Sequence, residues 1–269
     1  ASRTAALQTY MNSLREDLKT QSSNPRMHQA LAAFSGAWGE MGSSVGEKLQ
    51  KAYITDNPTA TGEKHKLDSA TGPETYHRVH AEYHPWIRQF LEERGYYDIF
   101  LFDPDGNLIY TVFKELDYAT NVNTGKWKDT DLGNAFRVAR DNAKPGFESF
   151  FDFRPYAPSA DAPAAFMSSP MLGASGDLKG VFVLQMPIGR INKVMQIAEG
   201  MGESGETYIV GSDFLMRSDS RFSKESTILK TKVETDTVKQ GVAGKTGVAI
   251  VPDYRGINVL SAYHPIEVL

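Results

Sequence analysis

The residues Tyr96-Tyr97-Asp98-Ile99-Phe100-Leu101-Phe102, Asp103-Pro104-Asp105-Gly106-Asn107 and Leu108-Ile109-Tyr110-Thr111-Val112-Phe113 decide the fold. Two runs of β-branched and aromatic residues flank a Pro-Asp-Gly turn, whose glycine tolerates the positive φ that a tight reversal needs. The stretch predicts a β-hairpin. Asp103, Asp105, Gly106 and Asn107 also look like the opening of a calcium loop. Such a loop needs a bidentate Glu at its twelfth position, and that residue is Lys114, so the turn reading stands.

Downstream, a short helix is expected over 132–140, followed by strands over 147–153, 164–169 and 180–187. Gly173-Ala174-Ser175-Gly176-Asp177 joins the last two. Two strands, a helical crossing and three strands make a five-stranded antiparallel module of the α+β class. Upstream, Leu7, Met11, Leu14 and Leu18 recur at helical spacing. Their stripe either packs on its own domain or pairs with a second copy in a short coiled coil. Ser22-Ser23-Asn24-Pro25 breaks this helix, a second follows over 27–38, and Ser44 with Glu47 forms a capping box for a third. Residues 56–73 read as an exposed loop. Thr71 with Glu74 then caps a helix over 74–94, with Pro85 inside it and Gly95 as its C-cap.

Part of the pattern returns about 110 residues after the hairpin. Residues 206–210 and 214–217 repeat it around Gly211-Ser212-Asp213, a helix follows near 235–241, and strands are expected over 247–252 and 258–265. This second module lacks a closing strand, so the chain is expected to stop inside a domain. The expected division is 1–95, N-terminal helices; 96–187, the first module; 188–205, a connecting helix and loop; and 206–269, a second module truncated at its C-terminus.

The chain has 269 residues, 41% hydrophobic and 23% charged, a composition that excludes disordered and collagen-like classes. With 29 Lys+Arg against 33 Asp+Glu it carries a formal charge of −4, leaving no basic excess for nucleic acid. No apolar run approaches the roughly 18 residues of a membrane span, and no signal peptide opens the chain. The absence of cysteine excludes disulfides, Cys-zinc sites, iron–sulfur clusters and thiol nucleophiles, and fits a compartment such as the bacterial periplasm.

His77, His80 and His84 share one helix face, a spacing that suits either a metal or packing within a helix pair. A metal-dependent hydrolase built on them is the enzymatic alternative. Asp219 and Arg221 have no His or second carboxylate nearby and read as strand-end hydrogen-bonding groups. No phosphate-binding glycine loop, dinucleotide fingerprint or nucleophile elbow is present. The first module instead gathers Tyr110, Tyr118, Trp127, Phe153, Tyr156 and Phe166 with Lys114, Asn121, Arg154 and Gln185, the makings of an aromatic small-molecule pocket.

Taken together, His84-Pro85-Trp86, the segment from Gly95 to Asp103, Val112 to Asn121, Gly205-Glu206-Thr207-Tyr208 and Met216 to Arg221 resemble the double Cache (tandem PAS-like) sensor regions of bacterial transmembrane receptors. The likeness is strongest to methyl-accepting chemotaxis proteins and covers nearly the whole chain. It implies a long N-terminal helix followed by two PAS-like antiparallel modules. It also implies a non-catalytic periplasmic sensor without cofactor, dimeric through its N-terminal helix, with membrane spans outside this sequence. Histidine kinases and nucleotide cyclases share such sensors, and a receptor that reads a periplasmic binding protein is a further alternative.

By that resemblance the first module, membrane-distal in the family, binds a small molecule, with Tyr110, Trp127, Phe153, Arg154, Tyr156, Phe166, Ser168 and Gln185 lining the pocket. Amino-acid-binding members are similar to one another in a YxRxWY segment and an Asp near the end of the last distal strand. This chain has Thr124-Gly125-Lys126-Trp127-Lys128-Asp129 and Gln185 at those places. A neutral amide cannot make the charge-assisted bond that an ammonium group calls for, so an α-amino acid is not expected. Arg154 and Lys126 would suit a carboxylate or another anion.

Overall fold

The computed structural model describes residues 2–197 and 199–269. It divides into two compact units, one of Arg15–Phe151 and Tyr156–Met186, the other of Ala1–Leu14, Asp152–Pro155 and Pro187–Leu269.

The first unit holds the five-stranded antiparallel sheet, with β1 (Asp98–Phe102), β2 (Leu108–Thr111), β3 (Ser149–Tyr156), β4 (Ala162–Leu172) and β5 (Leu178–Gln185) in the order β2-β1-β5-β4-β3. The expected hairpin is present. Asp103 accepts hydrogen bonds at Oδ1 from the backbone N–H groups of Asp105 and Asn107, and Gly106 takes φ 86°, which closes the turn. Register pairs Asp98 with Gln185, Phe100 with Val183, and Phe166 with Gln185. Side chains alternate across a strand, so Asp98, Phe100, Phe102, Val181, Val183, Gln185, Ala164 and Phe166 share one face.

That face is covered by α5 (Asp131–Asp141), which packs on β4 and β5 and adds Leu132, Ala135 and Phe136 to a core with Phe100, Phe102, Phe166 and Tyr156. Thr130 caps α5 through the backbone N–H of Gly133. The opposite face carries Ile99, Leu101 and Tyr110 toward α2 (Pro25–Glu40), which packs on β2 and β5 and against α4 (Thr75–Arg94). Both faces are therefore apolar, and β1 is buried at every position.

The N-terminal helix α1 spans Ser2–Ser22. Leu7, Met11, Leu14 and Leu18 are all buried within the chain, which is the packing alternative for this stripe rather than an exposed coiled-coil seam. Neither capping box forms. Glu74 and Ser44 occupy the N-cap positions of α4 and of α3 (Val45–Gln50) without a side-chain cap bond, because α4 starts at Thr75 and a 3₁₀ turn runs into α3. Helix α4 runs unbroken through Pro85 and ends at Gly95, φ 70°.

The second unit contains α6 (Ile188–Met195), α7 (Asp236–Val242) and a hairpin of β6 (Gly247–Pro252) and β7 (Asn258–Tyr263), where strands were expected. The predicted repeat of the first hairpin at 206–217 is reduced to a bridge between Val210 and Met216. Arg217 occupies this turn: buried, it bonds Asp213, Asp152 and the Leu215 carbonyl oxygen.

Candidate functional site

The chemistry of the first unit collects on the α5-side sheet face, where β1 begins beside the end of β5. Asp98 begins β1 fully buried, and its carboxylate is saturated: Oδ1 accepts from the backbone N–H groups of Ile99, Val112 and Phe113, and Oδ2 accepts from the Thr111 hydroxyl. It thereby ties the start of β1 to the end of β2. Asp117, also fully buried, accepts the Tyr156 hydroxyl at 2.6 Å on Oδ2, while its Oδ1 has no protein partner. Glu115 accepts from the hydroxyls of Tyr97 and Ser159.

Tyr156 stacks edge-on against Phe166, centroids 5.1 Å apart, and Phe166 is the register partner of Gln185. Gln185 is fully buried, and neither its Oε1 nor its Nε2 has a protein partner. An orphaned buried amide of this kind costs about 1–3 kcal/mol. Asp117, Tyr156, Phe166, Gln185 and Asp98 thus form a continuous patch in which the acceptor left open on Asp117 and the open amide of Gln185 are the unsatisfied groups.

Burial raises all three acids. The Asp117 carboxyl is pushed up to about 7, chiefly by desolvation and further by the charge of Glu115. Asp98 and Glu115 are raised by the same desolvation, Asp98 also by its acidic neighbours. The patch is an acidic floor in a low-dielectric setting.

The segment 113–130 forms its border. Asn121 pins it, accepting at Oδ1 from the backbone N–H groups of Asn123 and Thr124 and donating through Nδ2 to the Asp105 carbonyl oxygen and to Asn107. Gly125 sits so close to the Asn121 carbonyl oxygen that a Cβ would overlap it. Trp127 is buried and donates Nε1–H to the Leu116 carbonyl oxygen at 3.1 Å. Lys126 is exposed and lies 4.4 Å from the centre of the Trp127 ring.

Of the eight residues singled out from the sequence, Tyr156, Phe166 and Gln185 come together on the patch. Ser168 shares the sheet face but is fully bonded, to the Ala135 carbonyl oxygen and to Ser149. Phe153 is buried and Arg154 exposed, on the stretch of β3, residues 152–155, that is grouped with the other unit although the strand belongs to the five-stranded sheet. Tyr110 points to the helix side, where its hydroxyl donates to Nδ1 of His84 at 2.7 Å. Lys126 and Arg154, the cations expected to suit an anion, are both exposed, and the buried groups of the patch include carboxyls. Asp98, Glu115 and Asp117 were missed.

On the helix side, the three histidines have separate tasks. His77 accepts the Tyr53 hydroxyl and faces Glu74 at 3.2 Å, His80 donates from Nδ1 to the Asp68 carbonyl oxygen, and His84 donates from Nε2 to the His65 carbonyl oxygen. Their rings pack among Tyr53, Tyr76 and Phe34, with His80 and His84 stacked at 4.2 Å. Desolvation holds His84 down to about 2 and His80 well below its usual value, with the nearby Lys114 ammonium adding to both. They are neutral structural groups. Among the described residues no cluster of three or more His, Asp or Glu side chains is placed to hold a metal ion.

Neither a family model nor a curated protein sequence matches the chain. Solved structures do. The extracellular domain of mmHK1S-Z2, described as a histidine kinase, aligns over 98% of this chain and 88% of its own, with a TM-score of 0.53 and 12% identity. The corresponding domain of mmHK1S-Z3 aligns over 88% and 90%, with a TM-score of 0.48 and 15% identity. The ligand-binding domain of the Pseudomonas aeruginosa amino acid chemoreceptor PctC, solved with GABA, aligns over 93% and 90%, with a TM-score of 0.43 and 16% identity. At these identities the likeness speaks to architecture alone, and on the first of them the chain shares the α+β fold of that extracellular domain.

Proposed function

We propose that the chain is the extracytoplasmic sensor domain of a bacterial transmembrane receptor, a chemoreceptor or a sensor histidine kinase, and that it binds a small molecule at the Asp117–Tyr156–Phe166–Gln185 patch. The observation that carries this is Gln185, whose two polar amide atoms lie fully buried without a protein partner, together with the open acceptor on Asp117, which Tyr156 and Phe166 connect to it. Folded proteins rarely leave such groups unpaired, and a ligand that satisfies them gains what the apo protein forgoes. Signalling then follows from differential affinity, since a ligand shifts a two-state receptor only as far as it binds the two states unequally. The partner-reading alternative called for an exposed apolar patch on the first module. Its other sign is a pocket filled by the protein's own side chains; among the described residues Leu116 is the one exposed large hydrophobic side chain of that unit, which goes against the first sign alone.

The test is thermal unfolding against organic acids, amines, amino acids and purines. A ligand at about 100 times its dissociation constant adds roughly 2.7 kcal/mol, which raises the midpoint by several degrees. The proposal expects a shift with at least one class that disappears in Gln185→Leu. No shift with any class, in a folded protein carrying no co-purified compound by mass spectrometry, contradicts it.

A further inference from the structure

We infer that the ligand is a protonated amine without a carboxylate, held by Asp117 Oδ1 and the Gln185 amide. This rests on the proposed site and adds its chemical class. Three observations carry it. The groups that line the patch are acidic or neutral: Asp98, Glu115 and Asp117 supply carboxyls, and Gln185, Tyr156 and Phe166 are uncharged. Of the three carboxyls, Asp98 and Glu115 already have hydrogen-bond partners on both oxygens, so the valence left for a ligand is an acceptor on Asp117, joined by Oε1 of Gln185. Acceptors attract donors, and a donor that carries positive charge gains most, because charge-assisted hydrogen bonds are roughly twice as strong as neutral ones.

Cations of the protein are directed elsewhere. Lys114 is buried in the same unit, but its Nζ donates to the carbonyl oxygens of Thr111 and Val112 and lies 4.7 Å from the ring centre of Tyr110 on the helix side. Lys126 is exposed against the Trp127 ring. Lys114 is the buried ammonium within electrostatic reach of the patch, through Asp98, and its Nζ is taken up by the Thr111 and Val112 carbonyl oxygens, so a ligand carboxylate would meet the carboxyls without a charged donor of its own. Gln185 Nε2 adds one neutral donor, which fits a hydroxyl or carbonyl oxygen on the same ligand.

The experiment is isothermal titration of the whole chain with ethanolamine and putrescine as amines, serine as an α-amino acid and succinate as a dicarboxylate, for the wild type and for Asp117→Asn and Lys126→Ala. Circular dichroism confirms folding of each. The inference expects one of the amines to bind at least tenfold tighter than serine or succinate, Asp117→Asn to weaken that amine at least tenfold, and Lys126→Ala to leave it within twofold. Binding of succinate or serine equal to or tighter than the amines overturns the amine inference while leaving the sensor proposal in place. Amine binding unaltered in Asp117→Asn overturns the assigned contact. If none of the four binds, the amine inference fails, and the broader panel described above decides the sensor proposal separately.

Discussion

Replacing Gln185 by Leu should make the ligand-free protein more stable. The side chain is fully exchanged out of water, and its register neighbours are Phe166 on one side and Asp98, already saturated, on the other. Leaving a polar group unpaired in such a place costs about 1–3 kcal/mol, and an apolar residue of similar size removes that cost and adds burial. The expected gain is therefore about 1–3 kcal/mol. For a unit of this size each kcal/mol moves the thermal midpoint by about 2–4 °C. Urea unfolding followed by circular dichroism should show a higher midpoint with an unchanged slope. The same variant should lose any ligand-induced shift, so stability and function change in opposite directions, as at sites whose polarity is retained for binding. A loss of 1 kcal/mol or more would refute the reasoning, because it would mean that the amide is satisfied in the folded protein.

Three further outcomes follow from the same structure. Asp117 is raised to about 7 in the folded protein against an ordinary carboxyl near 4, so the native state keeps a proton that the unfolded chain releases. This contribution is present below about pH 4 and is lost as pH rises toward 7; the stability of the wild type relative to Asp117→Asn should therefore fall by up to about 1.4 kcal/mol per pH unit across that window, as read by urea unfolding at pH 4.5 to 7. Tyr110→Phe removes the donor to His84 Nδ1 and should cost about 1–3 kcal/mol in denaturant while leaving ligand affinity within twofold, because that hydroxyl lies on the helix side. Gly180→Ala should destabilise the first unit by about 1–3 kcal/mol or more by calorimetry, since a Cβ there overlaps the Phe102 carbonyl oxygen and would force β1 and β5 apart.

What the sequence revealed was what local chemistry controls. The Pro104-Asp105-Gly106 turn fixes its own hairpin through Asp103 and a positive φ, and the alternating runs around it set the strands of the first unit. The capping boxes failed because Thr71 and Ser44 are placed by turns that begin elsewhere, and a four-residue pattern does not carry that information. The sequence does not show which face Tyr110 takes, because both faces of β1 and β2 are apolar and their parity is unreadable. Pairing of Phe100 with Thr111 settles it, putting Thr111 on the patch side and Tyr110 on the other.

Asp117 lay in Lys114-Glu115-Leu116-Asp117, which has the look of a solvated turn. Only the tertiary fold shows that Lys114 and Asp117 are buried and Leu116 exposed, an inversion of the usual pattern. Lys114 and Ala119 both take positive φ, near 59°, in this segment, and no glycine marks either position. Backbone strain held at non-glycine residues is characteristic of sites where geometry serves a ligand or a switch. The second hairpin departs from its pattern for the opposite reason: residues 206–217 carry the turn signal, but Arg217 and its two acid partners take up the strand end.

The central claim is that a small molecule is recognised on the α5-side sheet face of the first unit. Hydrogen exchange measured by mass spectrometry, with and without the pooled ligand panel at millimolar concentration, tests it directly. The account predicts slowed exchange in peptides covering 113–128, 156–166 and 181–186, with the second unit's 206–221 and 247–263 unchanged. Protection confined to the second unit, or none in a panel that raises the unfolding midpoint, would contradict it.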